Sequence, residues 1–465
     1  MTGGPQPAPS HPGHAQAIGG LLARLERVPF GRGHLRARIV VGSATFFDAF
    51  DALSLAFVLP VLVRTWGLSS TQIGWLIAIG YLGQFAGALL FGSLAERIGR
   101  IPSATAATAL MSVMSLGCAM SDGFTSLLVM RLIQGIGVGG EMPVAAAYIN
   151  ELSKAQGRGR FFLLYELIFP VGLMAAGQIG ALVVPAFGWQ VMFLIGGIPG
   201  LVITAMLLRL PESPRWLISR GRLGEATAVI ERLEVGAGLQ PTAAPVGREA
   251  AGSAVAAPRA ERASWTDLVS GAYRSRTLVV WSLWATIYFI TNGLNNWMPT
   301  LYNRIYGLNL GDALRAGTLT NVAQVIVLLG CAFAIDRVGR RRWTVLCAAA
   351  GAVLLAALAT FASTSVTAVI VMVTLAYALL GSVNAVLYLY TPEIYPTRMR
   401  ALGTGAATCW LRLASAAGPL LVGYLVDARG PGAVFLMFAA VGVLGAVAGT
   451  RMLETRNRPL EELSR

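Results

Sequence analysis

The stretch "FFDAFD", Phe46 to Asp51, sets two carboxylates three residues apart inside an otherwise apolar run, 39–63. That run is long enough to cross a bilayer, and a charge near the bilayer centre costs at least about 3 kcal/mol. Two arginines stand in similar surroundings: Arg131 in the apolar run 124–150, and Arg412 near the middle of 401–427. Such groups can do two things. A carboxylate can take up and release a proton beside a cation that favours its charged form. A guanidinium fork can hold the carboxylate of a bound anion.

Asp48 and Asp51 share one helix face, and like charges so close in a low dielectric do not both ionise readily. One of them is therefore expected to hold a proton. If the first run is entered at residue 39, Asp51 lies about 18 Å deep, which is about 12 Å below the far surface of a core about 30 Å thick. Arg131, on a run of opposite direction, lies about 10 Å below that same surface. The depths agree, so Asp51 and Arg131 are expected to meet. Arg131 keeps its own proton, so protonating Asp51 obliges the guanidinium to find another partner. That is a two-state element biased by a proton; a static ion pair is the plainer alternative. Arg412 has no acidic residue near it in its own run. It can pair with Glu166 or Glu141, or anchor a substrate carboxylate. The segment "TNGLNNWMP" adds the amides of Asn292, Asn295 and Asn296 and the indole of Trp297 at midplane depth, as cavity lining or as helix-to-helix hydrogen bonds.

These groups need a scaffold, and the composition supplies its type. The 465 residues are 55% hydrophobic and 12% charged, with a mean hydropathy of +0.65. Soluble domains carry about 25% charged residues, so the expectation is an all-α integral membrane protein. Twelve apolar runs appear, near 39–63, 72–94, 103–121, 124–150, 161–184 and 189–209, then 277–300, 313–335, 344–362, 366–391, 401–427 and 432–452. They divide the chain into a tail (1–38), a six-helix bundle (39–210), a loop (211–276), a second bundle (277–452) and a short end (453–465). Residues 236–264, rich in Ala, Pro and Gly, read as a disordered linker. Short helices are expected on either side of it, in 211–235 and 265–273. No cleavable signal peptide is expected at the start.

The net charge of +14 could suggest nucleic acid, but its placement argues otherwise. With both termini cytoplasmic, only four of the 36 Lys and Arg fall on the opposite side (Arg64, Arg304, Arg315, Arg429) and two within spans (Arg131, Arg412). That is the positive-inside bias of a multi-pass cell-membrane protein, with the lipid bilayer as partner and no nucleic acid. The four cysteines lie in predicted spans without CxxC spacing, and all three histidines precede the first span. So no intramembrane histidine is available to carry protons, and no metal site is expected. The glycines of "GIGVGG", Gly135 to Gly140, match a dinucleotide fingerprint literally but lack its strand and acidic residue; helix packing is the expected use. With no nucleophile–base pair or cofactor motif either, an enzyme is not expected, nor a cofactor.

A repeat organises the rest. "GSLAERIGR" after the second span answers "AFAIDRVGRR" after the eighth, with Glu96 and Asp336, Arg97 and Arg337, and Arg100 and Arg340 each 240 residues apart. "YINELSKAQGR" answers "YTPEIYPTRMR", Glu151 standing seven before Arg158 and Glu393 seven before Arg400. Two like-oriented sets of six spans are parallel repeats about an axis along the membrane normal, which place a substrate site between them at the midplane.

These motifs strongly resemble the Major Facilitator Superfamily, across about 39–463. "PESPRWLISRGR" (Pro211 to Arg222), "LETRNRPLEEL" and "RLIQGIGVGGEMPVAAAYINE" are similar to its sugar-porter branch. Span 7 departs from that branch, with Thr291–Asn292–Gly293–Leu294–Asn295 where sugar porters have paired glutamines. Glu166 stands where they usually have Gln, and their span 10 Trp is missing. "GGEMPV", "WMPTLY" and Arg412 followed by "GPLL" instead resemble metabolite:proton symporters of nicotinate and aromatic-acid type. The resemblance implies a secondary transporter working by alternating access on a small molecule and protons; a monomer is the separate expectation. It implies Asp51, with Asp48 and Arg131, in proton coupling. It also implies a cytoplasmic gate of Glu96, Arg97, Arg100, Glu151, Arg158, Asp336, Arg337, Arg340, Glu393 and Arg400. Arg412, Asn292, Asn295, Asn296, Trp297 and Glu166 remain the candidate substrate contacts. Symport of an organic acid is the expectation; sugar or polyol symport and proton-driven efflux stay open beside it.

Overall fold

A computed structural model describes residues 12–152, 167–240, 265–271, 273–361, 365–395 and 397–455. Twelve helices are long and apolar enough to cross a membrane, and they fall on the twelve expected runs. Spans 1 to 6 are Arg32–Trp66, Ser70–Ile98, Arg100–Ala119, Phe124–Leu152, Ile168–Phe187 and Gln190–Leu207. Spans 7 to 12 are Tyr273–Arg304, Leu310–Val338, Arg340–Phe361, Val366–Glu393, Thr397–Arg429 and Pro431–Thr450. Several outrun their apolar cores, span 1 by seven residues at its start, because a helix continues past the hydrocarbon until a cap or a glycine stops it. Span 1 ends on Gly67 at φ 63°, and Ser69 then opens span 2 with a capping box to Gln72.

Packing repeats with the sequence. Within the first half spans 1 and 5, 2 and 4, and 3 and 6 pack together; within the second, 7 and 11, 8 and 10, and 9 and 12 do the same. The halves meet through spans 2 and 11 and spans 5 and 8, an arrangement with two-fold character about the membrane normal. The "GIGVGG" glycines serve packing, as expected: a Cβ on Gly135 would come 2.3 Å from the Gly80 carbonyl oxygen, and one on Gly139 2.0 Å from that of Gln84. Span 4 thereby lies backbone to backbone on span 2.

Residues 12–27 are not a simple tail. They form an amphipathic helix whose Leu21 and Leu25, one turn apart, are buried against the helix Leu223–Gly236 and the adjoining ends of spans 1, 4 and 6. Arg24 donates two hydrogen bonds to Glu234, at 3.0 and 2.7 Å, and both side chains are buried. Removing one partner strands a buried charge, at about 3 kcal/mol. Glu234→Ala is therefore expected to release Pro12–Arg27, seen as faster amide exchange confined to that helix and its contacts. Unchanged protection there would show that the leucines alone hold it. The expected flanking helices appear as Pro214–Ser219 with Leu223–Gly236 and as Trp265–Leu268; most of the expected linker lies outside the described residues.

Candidate functional site

A cavity of about 890 Å³ lies between the halves, with Asp48, Tyr81 and Gln84 on one wall and Asn292, Gln324 and Arg412 on the other. It continues to Asp336, Arg340 and Glu393 at the face that carries Pro12 and Thr455, the ends of the described residues, where Phe333 and Asp336 are exposed. At the far face the halves are closed. Arg304 donates to the Ser70 hydroxyl at 2.8 Å, and that hydroxyl donates to Asp427 at 2.6 Å. A Cβ on Gly423 would meet the Ser70 carbonyl oxygen at 2.4 Å. The site thus opens toward the termini and is sealed behind.

Trp297 belongs to that seal. Its indole N–H donates to the Pro419 carbonyl at 3.1 Å and the ring is buried, so it does not line the cavity. Its neighbours do: Asn292 and Asn296 bracket the Tyr81 hydroxyl at 3.0 and 3.1 Å, and Asn292 also donates to Ser415 at 2.7 Å. Asn295 accepts from Asn321 at 3.3 Å. Aromatic surface comes instead from Tyr81, Tyr288, Tyr377 and Tyr388. Glu166 and Arg158 lie outside the described residues, as does the side chain of Arg400.

Asp51 is 0% and Asp48 2% exposed, so both carboxylates are desolvated, but they face different ways. Asp51 accepts from Ser115 of span 3 at 3.0 Å and lies so close to Gly196 of span 6 that a Cβ there would come within 1.9 Å of its Oδ1. It points into the first bundle. Asp48 faces the cavity, and its Oδ1 has no hydrogen-bond partner among the described residues. The expected meeting of Asp51 with Arg131 occurs, though not as an ion pair. The guanidinium donates to the Gln134 side chain at 2.7 Å and to the Asp51 backbone carbonyl at 3.4 Å. No Arg131–carboxylate contact within 4.0 Å is found among the described residues. Arg412 crosses from span 11 to donate to the Gly139 carbonyl at 3.2 Å, and its Nε has no partner among the described residues.

At the terminus-bearing face the acid–Arg sets assemble twice over. Arg100 bonds Glu96 at 2.7 Å and Glu151 at 2.9 Å; Arg340 bonds Asp336 at 3.0 Å and Glu393 at 3.5 Å. Arg97 and Arg337 are exposed, and the clusters centre on Arg100 and Arg340. Each cluster also has a member that motif spacing alone did not single out. Glu212, of "PESPR", accepts from the backbone N–H of Arg100 and Ile101 at 3.0 and 3.2 Å. Glu454, of "LETR", accepts from Arg340 and Arg341 at the same distances. Each carboxylate thus sits on the first turn of span 3 or span 9, where the helix dipole favours an anion. Gly99 (φ 115°) and Gly339 (φ 93°) make the turn, and a Cβ at either would strike the carboxylate, at 2.1 and 2.6 Å. Burial pushes the Glu212 carboxyl above its ordinary value, against the pull of the N–H groups of Ser213, Arg100 and Ile101. The 242-residue offset between Glu212 and Glu454, equal to that of Glu151 and Glu393, was the available signal.

Twelve spans in two like halves enclose a largely apolar cavity set with a few polar and charged side chains, an architecture that fits a Major Facilitator transporter. The family description "Sugar (and other) transporter" matches residues 39–465, and the chain belongs to that family. It is 33% identical over 450 residues to the niacin transporter NiaP of Acinetobacter baylyi, covering 95% of this chain and 99% of that protein. To the 4-hydroxybenzoate transporter PcaK of Pseudomonas putida it is 29% identical over 316 residues, 67% and 68% of the two chains. Its fold is similar to the inward open conformation of the xylose transporter XylE from E. coli, at TM-score 0.70 and 18% identity, covering 92% and 99%.

Proposed function

We propose that this chain is a proton-coupled symporter of a small organic acid, with a ring-bearing monocarboxylate as the class its cavity suits best. The observation that carries this is one cavity lined by a buried guanidinium, Arg412, and a buried carboxylate, Asp48. The guanidinium is suited to the substrate carboxylate, the tyrosines to a ring face, and Asn295 or Asn296 to a polar edge. Asp48 and Asp51, with Arg131 beside them, are the proton-bearing groups. The niacin and 4-hydroxybenzoate relatives support the same class. The basic, terminus-bearing face is assigned to the cytoplasm, so the conformation described is inward-facing in the cell membrane. One chain encloses the whole cavity, in keeping with a monomer.

A second reading, sugar or polyol symport, draws on the amide-rich wall of Asn292, Asn295, Asn296, Gln324 and Asn384. Uptake driven by an imposed pH gradient in vesicles separates the two. Nicotinate and 4-hydroxybenzoate are expected to accumulate, and nicotinamide and glucose are not. Accumulation of glucose in place of the acids would favour the sugar reading, and proton-driven expulsion would favour efflux.

The clusters around Arg100 and Arg340 act in this reading as the inner gate. Among the described residues their ion pairs stay within one half, as separated halves require. Closing this face brings the clusters together. Glu393→Arg removes one such contact, worth under about 1 kcal/mol, so the inward-facing population should rise by up to about fivefold. Labelling of a cysteine placed in the cytoplasmic vestibule measures this; unchanged labelling would mean these charges only set topology.

A further inference from the structure

Glu141 has no part in the reading so far. It is buried in span 4, ten residues beyond Arg131, where its Oε1 accepts from the Thr45 hydroxyl at 3.1 Å. Thr45 precedes Asp48 by three residues on one face of span 1, so Glu141 is tied in beside Asp48. Glu141 Oε2 and Asp48 Oδ1 both lack a hydrogen-bond partner among the described residues. Arg412 reaches in from the other half to the carbonyl of Gly139, two residues from Glu141.

The other titratable groups around this pair are engaged elsewhere. Asp51, on the same span, is held by Ser115, and Arg131 by Gln134 and the Asp51 carbonyl. Cys118 of span 3 lies beside Asp51 and Arg131. The Tyr81 phenol of span 2 is bracketed by Asn292 and Asn296. Tyr288 of span 7 lines the same cavity, and the described residues of spans 5 and 6 carry no acidic or basic side chain. Among the described residues Arg412 is the cation that lines the cavity with Asp48 and reaches the carbonyl two residues from Glu141, though no carboxylate lies within 4.0 Å of it.

We infer that Asp48 and Glu141 form an acid pair that takes up one proton for each substrate carboxylate bound at Arg412. The inference rests on the organic-acid reading above. Two carboxylates beside one guanidinium in a desolvated site reach neutrality with one proton held between the two of them. An arriving carboxylate accepts the guanidinium N–H groups and adds one negative charge. A second proton, drawn from the aqueous side, then occupies the remaining carboxylate. The substrate anion and one proton enter together, and the loaded site carries no added charge. Loss of either proton leaves an uncompensated carboxylate, which expels the substrate.

The test is binding of nicotinate to the purified full-length protein by calorimetry, in buffers of different ionisation enthalpy, from neutral into alkaline pH. Wild type should take up about one proton per nicotinate, with the apparent Kd rising about tenfold per pH unit in the alkaline limb. Asp48→Asn combined with Glu141→Gln should cut that uptake toward zero and flatten the pH dependence of Kd, whereas either change alone leaves one carboxylate to take the proton. The double variant with wild-type proton uptake would overturn the inference, as would wild-type binding of nicotinate with no proton uptake; both leave the organic-acid reading standing. Failure of wild type to bind nicotinate while binding glucose would instead overturn that reading and the inference with it. Should the double variant not give folded protein, Thr45→Val carries the test by removing only the hydroxyl that hydrogen-bonds Glu141. The pH midpoint of nicotinate binding should then move up, and an unmoved midpoint would overturn the inference.

Discussion

Asp51→Asn is expected to abolish proton-driven accumulation of substrate, while exchange across the membrane persists at a reduced rate. Asp51 is fully buried beside Arg131, and that cation keeps its charge throughout the cycle. An ionised Asp51 can satisfy the guanidinium directly; a neutral one cannot. In the conformation described Arg131 bonds Gln134 and a backbone carbonyl instead, and Asp51 bonds Ser115. In the proposed cycle this is the arrangement that a protonated Asp51 would favour. Asparagine keeps the shape and fixes the neutral state, so a proton passed on from the Asp48–Glu141 pair can no longer bias the two arrangements. Uptake against a gradient, measured beside counterflow in the same vesicles, checks it. Accumulation at the wild-type level would remove Asp51 from the coupling path.

Arg412→Lys is expected to raise the apparent KM for a carboxylate substrate about tenfold, or about 1.4 kcal/mol. Arg412 is anchored to span 4 by one carbonyl contact and to its own span by a longer one, at 3.2 and 3.5 Å. The rest of its fork remains for a ligand. Lysine keeps the charge but not the planar two-point donor, which is not a conservative change at such a site. A neutral amide analogue should bind the wild type poorly and respond little to the substitution. An equal effect on acid and amide would mean that Arg412 holds the helices together and does not hold the substrate.

Much of this molecule is legible in the sequence, for reasons that differ by element. The spans are readable because the bilayer demands long apolar runs. The halves are readable because the 240-residue spacing survives in the charged turns. Depth arithmetic brought Asp51 to Arg131, but depth says nothing about rotation around the helix axis. Three residues move a side chain enough that Asp48 faces the cavity while Asp51 faces Ser115 and Gly196. The same limit applies to Trp297, whose ring turns toward Pro419 although Asn296 beside it reaches Tyr81. Glu212 and Glu454 were visible only as motif letters, since their partners are backbone N–H groups that no side-chain pattern reports. The helix Pro12–Arg27 was hidden by the Pro-, Gly- and His-rich stretch before it. Its Leu21 and Leu25 gain their meaning only from the apolar face of Leu223–Gly236, about two hundred residues on.

The most direct measurement is proton movement itself. Lightly buffered vesicles containing the protein, with no pH gradient imposed, are given nicotinate outside and followed with an external pH indicator beside protein-free vesicles. Co-entry of a carboxylate with a proton predicts alkalinisation of the medium that needs the protein, is lost in Asp51→Asn, and is absent with glucose. Alkalinisation with glucose but not with nicotinate, or nicotinate entry with no pH change at all, would contradict proton-coupled transport of an organic acid.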